Sequence, residues 1–345
     1  RKLNPEELKT ANGDIFGRIY EYFLTQFADQ GAHDDGEFFT PISLVQMIAN
    51  VIEPINGSVL DPACGSGGMF VQSANLVERN HGDPGKALTF YGMEKNSTTI
   101  RLALMNLAVH GLQGNIAEAI SYYSDPHDLV GKADYVMANP PFNVDEVDAE
   151  KVRSDPRLAF GLPGVNKAGK VSNGNYLWIS YFYSYLSAKG RAGFVMSSQS
   201  SSAGRDEAAV RRRLVETGHV DVMIAIRSNF FYTRTVPCEL WFLDKGKPKT
   251  RRDHVLMLDA RPVYRKVTRK IYDFISIVWL YRGQTARFLT LVREHLSRAV
   301  AEARASVPPV DALIAQVAEL SKTLRPIAKT HAGNAYDAHH TLADA

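Results

Sequence analysis

The chain has 345 residues, of which 45% are hydrophobic, and its formal net charge is only +3. This length suffices for one large α/β domain with helical additions, and no apolar run approaches the roughly 18 residues of a membrane span. The two cysteines, Cys64 and Cys238, are too few and too far apart in sequence to predict a disulfide framework. We therefore expect a cytoplasmic protein without a membrane partner.

The chain opens with a predicted helical lead-in over residues 1–36, where apolar residues recur near helical spacing. The segment Glu37-Phe38-Phe39-Thr40-Pro41 follows it. Thr40 is predicted to cap a helix whose first position is Pro41. From residue 37 to residue 260 strand and helix patterns alternate, which is typical of a parallel sheet with helices on both faces.

A Gly-rich turn follows the first predicted strand, in the run Asp61-Pro62-Ala63-Cys64-Gly65-Ser66-Gly67-Gly68. Its glycines allow a ligand to approach the backbone, and the helix that follows favours negative charge at its N-terminus. The spacing is not that of a G-x-G-x-x-G dinucleotide site, and Asp61 would repel a pyrophosphate. The turn therefore indicates a ligand with a cationic portion, such as the α-amino group of a methionine moiety.

An acidic residue, Glu94, ends the next predicted strand, Leu88–Met93, and a helical pattern follows from Asn96 to His110. For a single residue, a solvated strand end is the ordinary interpretation. In register with the Gly-rich turn, Glu94 is well placed to bind both ribose hydroxyls of a nucleoside.

The tetrapeptide Asn139-Pro140-Pro141-Phe142 closes the predicted strand Ala133–Ala138. Two prolines end a strand abruptly because neither carries a backbone N–H. They leave the Asn139 amide and the Pro140 carbonyl as acceptors at the carboxyl edge of the sheet, with Phe142 available to stack on a planar group. Two acceptors and an aromatic face are what an exocyclic amine on a flat base requires.

The later elements include a polar stretch over 143–174, which we interpret as a functional loop beside the site because it is too long for an ordinary connection. A helix is predicted over 176–186, and strands over 192–197, 221–226, 238–243 and 255–258. Residues 284–330 are predicted to be helical and amphipathic, which more often indicates packing within the chain than docking.

Two basic clusters stand out against the small net charge. Residues 245–270 contain ten Lys or Arg against two Asp, and Arg211, Arg212 and Arg213 are consecutive. Such clusters are often only solvated surface. Beside a base-handling site, we expect them to contact phosphates.

Taken together, these motifs resemble the S-adenosylmethionine-dependent N6-adenine DNA methyltransferases, and in particular the modification (M) subunits of type I restriction–modification systems. The resemblance also includes residues 14–23, Phe160-Gly161-Leu162-Pro163, Gly174-Asn175-Tyr176-Leu177-Trp178 and Gly193-Phe194-Val195-Met196. It implies an α/β fold with a Rossmann-like methyltransferase sheet and helices on both faces. The implied organisation is a lead-in over 1–36 that ends a larger N-terminal helical domain, a catalytic domain over 37–283, and C-terminal assembly helices over 284–345.

The resemblance also implies roles for individual residues. Catalysis is assigned to Asn139, Pro140, Pro141 and Phe142, on an adenine flipped out of the duplex, and no metal is implied. S-adenosylmethionine binding is assigned to Glu37, Phe38, Phe39, Thr40, Pro41, Asp61, Ala63, Gly65, Ser66, Gly67, Gly68 and Glu94. The implied partners are duplex DNA, a specificity (S) subunit docked on the C-terminal helices, a restriction (R) subunit and a second copy of the chain.

One position departs from the family pattern and two other functions stay open. Ile120 stands where relatives tend to carry a small polar or acidic residue near the adenine of the cofactor, so a backbone group or Ser121 is expected to make that contact. The alternatives are a methyltransferase of RNA or of protein glutamine, and a non-catalytic DNA-binding scaffold with the same fold. Phe142 and the segment Phe39-Thr40-Pro41 argue against the first. Asp61, Glu94 and Asn139 argue against the second, and Ile120 is the one feature that supports it.

Overall fold

The computed structural model describes residues 40–231, 237–266 and 272–273, together with Glu319 and Lys322. The chain divides into two units, Arg1–Leu280 and Tyr281–Ala345, and the fold described here is that of the first. The predicted lead-in over 1–36, the residues Glu37, Phe38 and Phe39, and all of 284–330 except Glu319 and Lys322 lie outside the described residues.

Strands and helices alternate along the described chain, as the sequence predicts. The strands are β1 (Gly57–Asp61), β2 (Leu88–Glu94), β3 (Gly114–Glu118), β4 (Ala133–Ala138), β5 (Leu186–Ser197), β6 (Val220–Ile226), β7 (Cys238–Asp244), β8 (Leu256–Asp259), β9 (Arg265–Lys266) and β10 (Tyr272–Asp273). The helices are α1 (Ile42–Ile52), α2 (Gly68–Arg79), α3 (Pro84–Ala87), α4 (Ser97–Val109), α5 (Ala149–Val152), α6 (Asn175–Tyr185), α7 (Gln199–Ser202) and α8 (Arg205–Glu216), with a 3₁₀ turn at Lys249–Arg251.

Eight strands form one sheet in the order β3-β2-β1-β4-β5-β7-β6-β8. Strand β7 runs antiparallel to both of its neighbours, and the other pairs in this sheet are parallel. From β1 the chain runs outward through β2 to β3 and then crosses back to β4 on the other side of β1. Such a switch in direction opens a crevice at the carboxyl ends of the two central strands, where α/β sheets bind their ligands.

Side chains along each strand alternate between two hydrophobic cores, one on each face of the sheet. In β4, Val136 and Ala138 belong to one core and Met137 to the other. Helices α6 and α8 contribute to the first core, and α1, α2 and α4 to the second. The predicted sheet with helices on both faces is confirmed.

Helix α6 lies almost wholly inside the first core, since ten of its 11 residues are buried. A helix that is apolar on nearly all sides is expected to be buried, and its aromatic side chains fill the space beneath β4 and β5. Among the described residues, no helix is long and apolar enough to cross a lipid bilayer.

Candidate active site

The Gly-rich turn connects β1 to α2 and is open on one side. Gly65 and Gly67 have φ angles of 51° and 77°, in the left-handed region that glycine tolerates best. A Cβ atom built on Gly65 or Gly68 would meet no heavy atom within 4 Å, so there is space above the turn for a ligand. The geometry at these positions fits the predicted close approach of a ligand to the backbone.

Asp61 ends β1 beneath this turn and is only 2% exposed. Its Oδ1 accepts a hydrogen bond from the Ala63 amide at 3.0 Å. Burial raises the pKa of the Asp61 carboxyl to about 8; the bond from Ala63 opposes this shift and the nearby Glu94 adds to it. Among the described residues, no basic side chain forms an ion pair with this carboxyl. A buried acid of this kind is stabilised as a carboxylate when a cationic ligand group lies beside it.

Glu94 ends β2 and is tied to the same turn. Its Oε1 accepts from the amides of Lys95 and Asn96 at 2.8 and 3.0 Å, and its Oε2 accepts from the Gly65 amide at 3.3 Å. The structure thus brings Asp61, Glu94 and the Gly-rich turn together, as their sequence register predicts.

Two further residues hold the turn, and the sequence patterns did not single them out for this role. Asn106 of α4 is 2% exposed and donates from Nδ2 to the Ser66 carbonyl at 2.8 Å. Ser121 is buried, and its hydroxyl donates to the Pro62 carbonyl. Asn106 could have been noticed in the sequence, because it is a polar residue on the otherwise apolar face of a predicted helix.

The buried position of Ser121 bears on the expected adenine contact. Its hydroxyl already bonds within the protein, whereas Ile120 is 54% exposed beyond the end of β3. With its donor used in this way, the Ser121 hydroxyl keeps only its acceptor capacity for the expected adenine contact, which stays a prediction.

Cys64 lies inside the turn as a packing residue. Its thiol is buried, and burial together with the acids Asp61 and Glu94 raises its pKa well above the usual value. A Cβ atom on Gly92 of β2 would lie 2.9 Å from the Cys64 sulfur, so glycine is needed there for the turn to pack on the sheet. The thiol stays protonated, which agrees with a structural role.

Asn139 follows β4 at the other side of the crevice, and its amide is oriented by Thr40. Nδ2 of Asn139 donates to the Thr40 hydroxyl at 2.9 Å. Oδ1 of Asn139 is buried and has no hydrogen-bond partner among the described residues. A buried, unpaired acceptor is costly in a folded protein and is expected to have a functional explanation.

The predicted cap at Thr40 is wrong. Helix α1 begins at Ile42 with Pro41 at the N-cap, and no side chain makes a capping hydrogen bond there. The amides of Leu44 and Val45 bond to the Pro41 carbonyl instead. The Thr40 hydroxyl is therefore available to accept from Asn139, 99 residues away in sequence.

The rest of the tetrapeptide places one aromatic ring at the crevice. Pro140 is buried, Pro141 is exposed and Phe142 is half-buried. The Phe142 ring packs edge-on against Phe231, with ring centroids 6.4 Å apart and an interplanar angle of 87°. Phe231 was not among the predicted site residues.

Arg157, in the predicted functional loop, is another buried residue that sequence reasoning missed. It is 2% exposed, pairs with Asp155 at 2.6 Å, and donates to the Ser121 carbonyl at 2.9 Å and the Tyr185 hydroxyl at 2.8 Å. Its guanidinium also lies 4.1 Å from the centre of the Tyr181 ring. Arg157 therefore fastens the loop to the segment that carries Ser121.

Several members of the basic clusters serve the fold. Lys247 is 2% exposed and donates to the Val220 carbonyl at 2.7 Å, and Lys245 donates to the Leu186 carbonyl at 2.8 Å. Arg211 and Arg213 donate to the carbonyls of Ala203 and Phe160 at 2.8 and 2.7 Å. Arg252 and Arg261 also bond within the protein, to the Lys247 carbonyl and the Asp259 carboxylate. The predicted phosphate contacts of the clusters stay a prediction.

Comparison with known proteins identifies the family. The model of the N-6 DNA Methylase family matches residues 11–276. This chain belongs to the N-6 DNA methylase family. It is 39% identical over 262 residues to the type I restriction enzyme MjaIX methylase subunit of Methanocaldococcus jannaschii, covering 74% of this chain and 46% of that protein.

Other relatives agree with this assignment. The HindI methylase subunit of Haemophilus influenzae is 34% identical over 275 residues, covering 79% of this chain and 60% of that protein. The crystal structure of a type I restriction-modification methyltransferase subunit from Streptococcus thermophilus superposes with a TM-score of 0.68 at 22% identity, covering 82% of this chain and 60% of that one. This likeness confirms the predicted methyltransferase fold. The chain spans 46% and 60% of the lengths of these two curated relatives.

Proposed function

We propose that this chain transfers a methyl group from S-adenosylmethionine to N6 of adenine in duplex DNA, as the modification subunit of a type I restriction–modification complex. The observation that carries the proposal is the buried, unpaired Oδ1 of Asn139 at the carboxyl edge of the sheet. Membership of the N-6 DNA methylase family supports it. An acceptor in this position needs a donor from outside the described protein, and an exocyclic amine supplies one.

Positioning and electrostatics are sufficient for the reaction. The adenine amine is a weak nucleophile because its lone pair is delocalised into the ring. Acceptance of its two hydrogens by Asn139 Oδ1 and the Pro140 carbonyl would draw the nitrogen towards a tetrahedral, nucleophilic state. S-adenosylmethionine supplies an electrophilic methyl group on a sulfonium. With the amine aligned on that methyl group, the N6–C bond would form as the C–S bond breaks with its electron pair left on sulfur, and the extra N6 proton would pass to solvent.

The target adenine must leave the base stack to reach Asn139, because the carboxyl edge of a sheet cannot enter a duplex. Phe142 supplies an aromatic ring at this edge, and Phe231 supports the ring from the side. Thr40 holds the Asn139 amide with its oxygen free. These residues orient the target adenine. The reaction requires no strongly basic side chain as a proton acceptor.

The residues around the Gly-rich turn fit S-adenosylmethionine. Asp61 is a buried acid that requires a cationic neighbour to ionise at neutral pH, and the ammonium group of the methionine moiety provides it. The carboxylate of Glu94 has about four lone-pair sites. Three of these sites accept backbone amides. The free site on Oε2 would accept one ribose hydroxyl directly, and a second hydroxyl would have to replace the 3.3 Å bond from Gly65.

The proposed partners are duplex DNA, a specificity subunit, a restriction subunit and a second copy of the chain. The relatives named above are type I restriction enzyme methylase subunits, which supports this proposal. Docking of the specificity subunit is proposed at least partly on the helices predicted over 284–330.

A methylation assay on DNA, with and without a co-expressed specificity subunit, tests the proposal. The chain alone should bind DNA weakly and without sequence preference, losing affinity steeply as salt rises, because it would contact phosphates only.

Sequence-specific methylation should appear when the second subunit joins, and deletion of 284–330 should abolish assembly but leave cofactor binding. Sequence-specific methylation by the single chain would refute the type I assignment, and absence of transfer under all conditions would favour the scaffold alternative.

A further inference from the structure

The loop over 143–174 leaves the proposed active site directly after Phe142 and returns at Asn175, the first residue of α6. Its two ends are joined next to Phe142. The Gly174 amide donates to the Val144 carbonyl at 2.6 Å, and the Val171 amide donates to the Val147 carbonyl at 2.8 Å. The two ends of the loop are therefore held together by backbone hydrogen bonds, and we call this part of the loop its neck.

Three asparagines form a hydrogen-bonded group at this neck, which we call the amide clamp (Asn143, Asn173 and Asn175). The Asn143 amide N–H donates to Asn175 Oδ1 at 2.8 Å, and Asn175 Nδ2 donates back to Asn143 Oδ1 at 2.8 Å. Asn173 Nδ2 donates to the same Asn143 oxygen at 3.1 Å, and Asn173 Oδ1 accepts from the Asn175 amide at 2.9 Å. Asn175 is 2% exposed, so its side chain is fixed inside the protein.

The clamp holds a backbone conformation that is uncommon outside glycine. Asn143 has a φ of 57°, in the left-handed region that Asn tolerates better than most residues. Strained residues of this kind persist where the surrounding structure holds them, and they are concentrated at functional sites. The N–H that Asn175 binds belongs to the peptide plane between Phe142 and Asn143, so the clamp fixes the backbone that carries Phe142.

We propose that the amide clamp orients Phe142 for stacking on the flipped target base, which makes Asn143 and Asn175 positioning residues for methyl transfer. This inference rests on the function proposed above. The ring is held from two sides, by the clamp through the backbone and by Phe231 through an edge-on contact. A displacement of about 1 Å in such a constellation lowers the rate by on the order of 100-fold.

The two clamp residues differ in what their side chains do, which permits a test with one type of substitution. The Asn143 side chain acts only as an acceptor, so Asn143→Asp can keep the bonds from Asn173 Nδ2 and Asn175 Nδ2. Asp also tolerates the left-handed region of the backbone. Asn175 both accepts and donates, so Asn175→Asp in its ionised form loses the donor and places a carboxylate oxygen against Asn143 Oδ1. Rotation of the Asn143 side-chain amide would not relieve this repulsion without a further cost. It would place Asn143 Nδ2, a donor, against Asn173 Nδ2, which is also a donor. Because a buried carboxyl can stay protonated and donate, kcat is compared up to about pH 9, which spans the pKa range of buried carboxyls.

The expected result is an asymmetry in kcat. Asn175→Asp should lower kcat at saturating DNA by on the order of 10-fold to 100-fold, whereas Asn143→Asp should retain most of the wild-type kcat. Saturating DNA is required because a new negative charge can also weaken DNA binding. Calorimetry should show unchanged affinity for S-adenosylmethionine in both variants, since the clamp does not contact the Gly-rich turn.

A matched control distinguishes orientation of Phe142 from general support of the loop. Lys170→Ala removes the 3.5 Å ion pair between Lys170 and Asp148 farther along the same loop. In Asn175→Asp, repulsion between the ionised carboxylate and Asn143 Oδ1 should push the substituted side chain away from the Asn143 amide, so hydrogen exchange of that amide should accelerate. In Lys170→Ala the exchange rate should stay at the wild-type value, with kcat following the same pattern.

The experiment uses the full-length protein assembled with its specificity subunit. The clamp proposal is overturned if the wild type is active and Asn175→Asp keeps its kcat, or if Asn143→Asp or Lys170→Ala loses as much as Asn175→Asp. An inactive wild-type complex would instead refute the proposed function, and the clamp proposal with it.

Discussion

Replacement of Asp61 by Asn is expected to stabilise the ligand-free protein while it weakens the binding of S-adenosylmethionine. Burial raises the pKa of the Asp61 carboxyl from 3.8 to about 8. Between these two values the folded state holds a proton that the unfolded state has released. The stabilising contribution of the protonated group is complete below the unfolded pKa and is lost as pH rises through the folded pKa, at about 1.4 kcal/mol per pH unit.

The magnitude at neutral pH follows from the interval between the unfolded pKa and pH 7. That interval is about three units, so burial of Asp61 lowers the wild-type free energy of unfolding by about 4 kcal/mol at pH 7. Asn has the same shape without a charge, and its oxygen can still accept from the Ala63 amide. The free energy of unfolding of Asp61→Asn should exceed that of the wild type by little near pH 4. The difference should grow up to about pH 8 and then level off.

Urea unfolding of both proteins at several pH values between 5 and 8 measures this difference. Asp259→Asn is a control of opposite sign, because hydrogen bonding and charge attraction from Arg261 lower the pKa of the Asp259 carboxyl. The stability contributed by Asp259 is present at neutral pH and is lost as pH falls. Equal free energies of unfolding for wild type and Asp61→Asn at pH 8 would refute the reasoning about buried charge.

Calorimetry with S-adenosylmethionine tests the second half of the prediction. Wild-type Asp61 should release a proton on binding, so its affinity should rise with pH up to about 8. Asp61→Asn should show weaker binding without this dependence. Unchanged affinity in the variant would mean that Asp61 does not face a cationic part of the ligand.

Three further predictions follow from the site and its surroundings. Asn139→Ala should abolish methyl transfer and leave S-adenosylmethionine affinity nearly intact, because the interactions lost are those with the substrate amine and the bond to the Thr40 hydroxyl. Tritium transfer and calorimetry check this, and substantial residual activity would exclude the catalytic assignment. Glu94→Ala should weaken cofactor binding by about 1.5–3 kcal/mol, and wild-type affinity in calorimetry would argue against the nucleoside site. Arg157→Met should lower the free energy of unfolding by about 3–5 kcal/mol, because it leaves Asp155 without its ion-pair partner. Chemical denaturation measures this difference, and a decrease of less than about 1 kcal/mol would contradict the buried network.

The sequence alone determined the fold class and the edge of the sheet at which the proposed site residues lie. Asp61, Glu94 and Asn139 each follow a predicted strand, and the carboxyl ends of parallel strands meet at one edge of the sheet. Local periodicity is therefore sufficient to bring these three residues together. The Gly-rich turn was equally clear, because its glycines adopt backbone angles that other residues avoid.

Only the tertiary structure decided which side chains hold those residues in place. The local pattern at Thr40 predicts a helix cap, yet its hydroxyl bonds to Asn139, 99 residues away. Lys247 belongs to a cluster predicted to contact phosphates but is buried against Val220, and Arg157 is one polar residue among many in a long loop. Sequence periodicity reports which face of an element is apolar, whereas the partner of a polar side chain depends on how distant elements pack. Such contacts therefore become visible only in the folded chain.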